Sequence, residues 1–323
     1  MSDRAIDRGG VFVIDKPRGP TSHDVVAALR KRLRTREVGH AGTLDPMATG
    51  VLVVATGEAT KLVPYLTAAD KSYEATVVLG RATDTLDALG ETVSESKVDE
   101  DVLLALTLYR EGTVDLANQA ALDLEAALEA ERRRTLQVPP VFSALKIGGE
   151  RAHALARRGE APDLTARPVA VKKLELIAAG ESPEPWLVVR LDVSKGYYVR
   201  ALARDLASSL GTVGHLAALR RTRSGCFTLD EALLVDMPDG ELEARRIPLD
   251  LAATRVLPRA ELTDVGVRDV GFGRKIAAEG FREVPARGPH AWVDAAGQLL
   301  AIGELDEDGV GRVLRGFPLA REA

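Results

Sequence analysis

One cysteine, Cys226, in 323 residues excludes a disulfide framework and any cysteine-rich zinc site. The five histidines (His23, His40, His153, His215 and His290) show no ligand spacing with one another or with Cys226, which points away from a transition-metal site. There is no G-x-x-x-x-G-K-[ST] phosphate loop and no G-x-S-x-G nucleophile elbow. Gly271-Phe272-Gly273 lacks the third glycine and the strand–helix setting of a dinucleotide site. Aromatic residues are only 4% of the chain, so stacking on nucleobases falls on very few side chains. No uncharged apolar stretch approaches the roughly 18 residues of a membrane span. Asp3, Arg4, Asp7 and Arg8 precede an apolar run, residues 11–14, that is too short for a secretory leader. The expectation is a cytoplasmic, reduced protein whose chemistry uses side chains alone, with no cofactor and no metal.

What is present is ordinary globular composition, 46% hydrophobic and 28% charged. At roughly 150 residues per domain the length suggests two domains. The net charge of −5 argues weakly against nucleic acid, but charge is unevenly spread. Arg30, Lys31, Arg32, Arg34 and Arg36 follow one another without an acid. Lys195, Arg200, Arg204, Arg220, Arg221 and Arg223 stand against Asp205 alone. The acidity gathers between residues 97 and 131, with nine acids against Lys97 and Arg110. Phosphate binding needs clustered cations rather than a basic total, so the charge permits an RNA partner without showing one.

Residues 11–14 read as a strand, Pro20-Thr21-Ser22 as a helix start, and Val25, Leu29 and Leu33 as one helix face. Residues 51–55 form a β-branched run typical of a buried strand. Residues 58–66 look helical until Pro64, which should end or kink the helix. Tyr73, Ala75, Val77 and Leu79 alternate as a half-buried strand. Residues 117–131 contain neither Gly nor Pro and favour a helix. Strands return at 169–177 and 186–193, and Val199, Leu202, Ala203, Leu206 and Leu210 mark an amphipathic helix closed by Gly211. After about Pro248, short apolar strands separated by Gly and Asp suggest a small β domain. The expected organisation is a domain over 1–250, with an acidic helical insertion at about 113–134, followed by a second domain over 251–323.

The most informative stretch is Gly39-His40-Ala41-Gly42-Thr43-Leu44-Asp45-Pro46-Met47-Ala48-Thr49-Gly50. It is a glycine-broken loop that offers one imidazole and one carboxylate and leads into a buried strand. Pro46 restricts the backbone of Asp45 to extended conformations and so restricts the direction of its side chain. Taken alone, Asp-Pro is more often a turn start, and a single loop histidine more often a hydrogen-bonding residue than a catalyst. Likewise Asp84 and Asp87, flanked by Thr83, Thr85 and Gly90, read as turn caps before a magnesium site.

Residues 39–52 resemble the signature of the TruB family of tRNA pseudouridine synthases, in its stand-alone bacterial form. The likeness continues in order through Asp15-Lys16-Pro17, Gly57-Glu58-Ala59-Thr60-Lys61, Asp70-Lys71-Ser72-Tyr73, and Thr83-Asp84-Thr85 with Asp87 and Gly90. It resumes at Gln137-Val138-Pro139-Pro140 with Ser143-Ala144-Leu145-Lys146, then Ser194-Lys195-Gly196 with Tyr198-Val199-Arg200, and Leu219-Arg220-Arg221-Thr222. The tail from about Val256 resembles the small RNA-binding PUA domain. The resemblance implies an α+β fold, a mixed and mainly antiparallel central sheet flanked by helices, with a small C-terminal β domain.

It further implies isomerisation of uridine 55 in the T-loop of tRNA, without cofactor. Asp45 would attack the target nucleotide. Arg200 would be its ion-pair partner, and Tyr73 would stack on the flipped uracil and assist proton removal. His40 would lie against the RNA near the vacated base position, and Lys16, Lys61, Tyr198 and Leu219 would line the pocket, with Arg221 among the RNA-binding residues. The chemistry suits the residue types: one carboxylate can attack and depart, and no electrons or groups are exchanged. Two departures stand out. Tyr197 occupies a position often Thr or Ser in the family, and Phe142 one often Tyr. Two other readings share these features: the synthase subunit of an RNA-guided ribonucleoprotein, and a non-catalytic tRNA-binding or folding protein. Met47-Ala48-Thr49 after Asp45-Pro46 resembles the stand-alone branch more. No membrane and no obligatory protein partner are expected.

Overall fold

Every residue from Val11 to Ile14 is buried in strand β1 (Gly9–Lys16), the continuous apolar run of a strand covered on both faces. The computed structural model describes residues 7–113, 118–143, 146–147, 150–151, 158 and 164–318. Helix α1 (Ser22–Arg32) starts on a capping box: the Thr21 hydroxyl accepts from the Asp24 amide, and the Asp24 carboxylate accepts from the Thr21 amide. Its buried face is Val25, Val26 and Leu29. Strands β2 (Val38–Ala41) and β3 (Thr49–Gly57) pair antiparallel, with His40 opposite Val54. β1 pairs in parallel with Leu233–Leu234 and antiparallel with Ile247–Pro248. Where one helix broken by Pro64 was expected, a 3₁₀ turn (Glu58–Leu62) gives way to a short helix (Val63–Ala68). Pro64 falls in the first turn of that second helix, where its missing N–H leaves no bond unmade.

The described residues form two compact units. One takes those up to Leu44, Val51–Ala68 and those from Ser224 onward; the other takes Asp45–Gly50 and those of Ala69–Arg223. In the second unit, β4 (Lys71–Leu79) is followed by helices α2 (Glu100–Glu111) and α3 (Gln119–Arg132), capped by Asp99 and Asn118. Then come β5 (Val171–Gly180), β6 (Trp186–Val193), helix α4 (Val199–Ser209) and β7 (Gly214–Ser224). The strand order is β5-β6-β4-β7, antiparallel from β5 to β4, and the register places Tyr73 opposite Leu191. α4 buries Val199, Leu202, Ala203 and Leu206, as its spacing predicts, and ends before Gly211 at φ +72°. β7 runs parallel to the start of β3, with Arg220 opposite Thr49 and Arg221 opposite Gly50. Gly50 sits at φ +99°, and a Cβ there would lie 2.2 Å from the Arg221 carbonyl oxygen, so no other residue fits. The fold is α+β with a mixed, mainly antiparallel sheet and flanking helices.

Of the expected insertion at 113–134, Thr113 and residues 118–134 are described, with α3 over Gln119–Arg132; residues 114–117, like Ala144, Leu145 and His153, lie outside the described residues. Much of its acidity is matched along the helix, where Arg132 pairs with Glu125 and Glu129, and Arg133 with Glu129. Among the described residues, no helix is long and apolar enough to cross a membrane.

After helix α5 (Leu249–Val256) the tail forms a small sheet in the order β8 (Arg259–Glu261), β9 (His290–Val293), β10 (Leu299–Leu305) and β11 (Gly311–Gly316). It has a core of its own around Leu262, Ile276, Phe281, Trp292 and Leu300. Its other face joins a larger core: Ala291, Val293, Leu299, Ile302 and Phe317 pack in one cluster with Val11, Val13, Val51, Val53, Leu62 and Leu66. Arg8, buried, donates to Asp250 Oδ1 at 2.8 Å and to the Leu299 carbonyl. Position 250 therefore lies inside one compact unit. Truncation after Asp250 should strip apolar cover from β1 and β3. At roughly 2 kcal/mol per large side chain, the loss is comparable to the whole stability of a domain, about 5–15 kcal/mol. Thermal unfolding should show a truncated protein with its first transition lost or lowered by more than about 10 °C; an unchanged melting profile would mean the shared core contributes nothing.

Candidate active site

The second unit collects Asp45, Tyr73, Tyr198, Arg200, Leu219 and Arg221. Asp45 opens a tight turn closed by a hydrogen bond from the Ala48 amide to the Asp45 carbonyl at 3.0 Å. Met47 and Ala48 are buried beneath it. The loop's far end is held to β7, where the Thr49 hydroxyl donates to the Leu219 carbonyl at 3.4 Å. Between the buried Leu44 and Met47, the Asp45 side chain stays partly exposed.

Arg200 meets it. Its Nε lies 2.9 Å from Asp45 Oδ2 and its Nη2 3.4 Å from Oδ1, a two-pronged carboxylate contact. Two more of its hydrogens are used as well: Nη1 donates to the Thr85 carbonyl at 2.8 Å and Nη2 to the Phe142 carbonyl at 2.8 Å. A second carboxylate, Asp87 Oδ2, stands 3.7 Å from Nη1. The Arg200 side chain is 8% exposed and Asp87 8%, whereas Asp45 is 33% exposed. The cation is thus sealed in and fixed from several sides, and the carboxylate it holds remains reachable from solvent.

Asp87 is a residue that reading by pattern assigns to turn geometry alone. It does serve the turn: Oδ1 accepts from the Thr85 hydroxyl at 2.8 Å and the Leu89 amide at 3.0 Å, while Asp84 Oδ1 accepts from the Glu91 amide. Its other oxygen faces Arg200. The Thr-x-Asp spacing carries no sign of that second contact. Among the described residues, no group of three or more His, Cys, Asp or Glu could hold a metal ion.

Tyr73 is buried on β4, and Tyr198 is the N-cap of α4, immediately before the buried Val199 and Arg200. Burial pushes the Tyr198 phenol above its ordinary range, against the opposing pull of Arg167 and Arg200, so it stays protonated at neutral pH. Leu219 is buried on β7, and Arg221 is 1% exposed, the most enclosed cation of that strand. Lys71, two residues before Tyr73, is also buried; loss of hydration and then the Arg221 charge lower its ammonium to about 8. Its Nζ donates to the Ala69 carbonyl at 2.6 Å. Burial at Lys71 is not legible from an Asp-Lys-Ser-Tyr string.

Lys16, His40 and Lys61 belong to the first unit. Lys16 is fully buried and donates to the carbonyls of Pro17 at 2.9 Å and Pro20 at 2.7 Å. His40 meets the ring of His23 edge-on, with centroids 5.2 Å apart. Lys61 pairs with Glu58 at 2.5 Å, donates to the Gly316 carbonyl at 2.9 Å and lies over the Phe317 ring. In the basic run that begins in the last turn of α1, Arg30 donates to the Val38 carbonyl, and Arg32 is tied to Asp239 and the carbonyls of Val235 and Met237. Lys31, Arg34 and Arg36 are exposed. A run that reads as one charged face is thus divided between structural and solvent-facing cations.

The chain is similar to known proteins over most of its length. Residues 30–199 match the TruB family pseudouridylate synthase N-terminal domain, and residues 200–244 match the tRNA pseudouridylate synthase B C-terminal domain. A tRNA pseudouridine synthase B of Mycobacteroides abscessus is 41% identical over 92% of this chain and 92% of its own length. One of Mycobacterium avium is 45% identical over 83% of this chain and 81% of its own. Among solved structures, a chain of a Cbf5–Nop10–Gar1 complex superposes with a TM-score of 0.66 at 27% identity, covering 93% of this chain and 79% of that one. With Asp45 and Arg200 both inside or at the edge of the matched segments, the chain belongs to the TruB family of pseudouridylate synthases.

Proposed function

We propose that this protein isomerises uridine to pseudouridine in tRNA, at uridine 55 of the T-loop, with Asp45 as nucleophile and no cofactor. The observation that carries the reading is the reachable Asp45 carboxylate clamped by the sealed Arg200 guanidinium, within a chain of this family. The N1–C1′ bond of the target uridine breaks, the uracil turns, and a C5–C1′ bond forms; the proton leaves C5 and one is gained at N1. Atoms and electrons balance within the substrate, so a carboxylate that attacks and later departs is sufficient. The uridine must first leave its stack, at an expense of a few kcal/mol that stacking side chains in the pocket offset. Tyr73 and Tyr198 are suited to that part. Leu219 and Arg221 on β7, with Lys16, His40 and Lys61, are proposed to contact the RNA. The tail, residues 251–323, is proposed as a PUA-like module that adds affinity for tRNA, and the cytoplasm as the setting.

Greater identity to stand-alone synthases, 41% and 45%, than to the Cbf5 chain, 27%, favours action on bare tRNA over action within a guided ribonucleoprotein. The test is tritium release from C5-labelled, unmodified tRNA transcript with this protein alone. Release approaching one equivalent per tRNA is expected, and none from a transcript carrying cytidine in place of uridine 55. Tight binding without release would support a non-catalytic binder. Release dependent on added guide RNA and protein partners would support the guided branch, and undiminished release from the cytidine transcript would relocate the target.

A further inference from the structure

Helix α4, which carries Arg200, begins without a side-chain cap of its own, because its N-cap is Tyr198. The start of the helix is held instead by a single stretch of chain that leaves the end of α3. Gln137 clamps the main chain of Tyr198: its Oε1 accepts from the Tyr198 amide at 2.8 Å and its Nε2 donates to the Tyr198 carbonyl at 3.1 Å. Arg204, one turn further along, donates to the Val138 carbonyl at 3.0 Å. The Phe142 carbonyl accepts from Arg200 itself.

Just ahead of this stretch, in the last turn of α3, stands Glu131, the last acid of the acidic helix, which is 1% exposed. One of its oxygens accepts from the Tyr197 hydroxyl at 2.6 Å. The other accepts from Arg134 Nε at 2.6 Å, and Arg134 Nη1 reaches Asp205 of α4 at 3.4 Å. Burial raises the Glu131 carboxyl, opposed by the hydrogen bonds from Tyr197 and Arg134. Stability alone gives little reason for such a cluster. Dehydrating a carboxylate is expensive, and well-packed apolar residues of similar volume do as well or better. What a fully satisfied polar cluster supplies is one geometry rather than several. Here that geometry is the seat of Tyr197, immediately before Tyr198 and three residues before Arg200.

We infer that Glu131 and Tyr197 are positioning residues for the proposed reaction: their hydroxyl–carboxylate bond fixes how α4 presents Arg200 and Tyr198 to Asp45. The acidic helix thereby has a task within the catalytic unit. The inference rests on the pseudouridine synthase reading above. A guanidinium that must meet Asp45 through two prongs while holding two carbonyls tolerates little movement, and a misplacement near 1 Å can slow a reaction about a hundredfold.

The experiment compares the intact wild-type protein with Tyr197→Phe, Glu131→Leu and Glu131→Gln. Single-turnover pseudouridine formation at saturating tRNA, filter-binding affinity and the melting temperature are measured for each. Tyr197→Phe keeps the ring and its packing, so it should fold. It is expected to react about tenfold more slowly with affinity within about twofold of wild type. Glu131→Leu should lose at least as much rate. Glu131→Gln, which still accepts from the Tyr197 hydroxyl, should recover most of it, so that rate follows the hydrogen bond and not the melting temperature. A Tyr197→Phe protein with the wild-type rate overturns the positioning role, whatever its melting temperature. Loss of rate and affinity together, or a Glu131→Gln protein as slow as Glu131→Leu, overturns it too. Wild-type protein that forms no pseudouridine overturns the functional reading itself, an outcome separate from any of these.

Discussion

Asp45→Asn is expected to form no measurable pseudouridine while binding tRNA as tightly as the parent protein, or slightly more so. The proposed reaction needs one nucleophilic carboxylate, and an amide of the same shape cannot attack in its place. Loss of a nucleophile of this kind corresponds to at least about 10⁴-fold in single-turnover rate. The fold should be indifferent to the change, since the turn at Asp45 is closed by its carbonyl and the buried Met47 and Ala48, not by its side chain. The amide still presents an oxygen to Arg200, so the guanidinium keeps its remaining partners at the Thr85 and Phe142 carbonyls. Removing a negative charge from a surface that receives phosphates relieves a repulsion of about 1 kcal/mol at 4 Å in water, hence the equal or better affinity. Single-turnover assay and filter binding on the same preparations decide the matter. Near-normal turnover would reject Asp45 as the nucleophile, and joint loss of turnover and binding would make it a structural residue.

What the sequence revealed of this site and fold divides along a physical line. Elements whose burial is apolar and periodic were legible: α4 from Val199, Leu202, Ala203 and Leu206, and β6 from Leu187, Val189, Leu191 and Val193. β7 was not, because two of its buried positions are taken by His215 and Arg221, so the alternation of a strand is hidden beneath a basic run. His215 is satisfied there by the Arg81 carbonyl at 2.9 Å, a contact no local pattern announces. α2 lacks such a legible apolar period, although its ends are marked by Asp99 and by Gly112 in the left-handed region. Its leucines sit within an acidic stretch, with Asp99, Glu100 and Asp101 at one end and Glu111 at the other. The Asp45 loop was legible because its glycines, proline and carboxylate form one contiguous signature. The meeting of Arg200 with Asp87, and of Tyr197 with Glu131, joins residues far apart in the chain. Such pairs exist only once the strands and helices between them have folded.

Arg200→Lys should retain tRNA binding and most of the stability yet lose about two orders of magnitude in rate. The lysine keeps a positive charge near Asp45 and Asp87, so neither carboxylate is left without a counter-charge. It cannot keep the geometry. Arg200 reaches Asp45 through two nitrogens, Nε at 2.9 Å and Nη2 at 3.4 Å, and from the same planar group holds the carbonyls of Thr85 and Phe142. A single ammonium on a flexible stem cannot span those acceptors together. The Asp45 carboxylate then loses its fixed direction, and at least one part-buried carbonyl loses its donor, a net loss of about 1 kcal/mol. Arg200→Leu should be worse on both counts, because it also leaves the buried Asp87 facing an apolar side chain; breaking a buried pair from one side costs about 3–5 kcal/mol. The order wild type, Lys, Leu should therefore appear both in single-turnover rate and in melting temperature, with the larger separation in rate at the first step and in stability at the second. A lysine variant as fast as wild type would show that charge alone at Arg200 is enough and that the two-pronged contact is incidental.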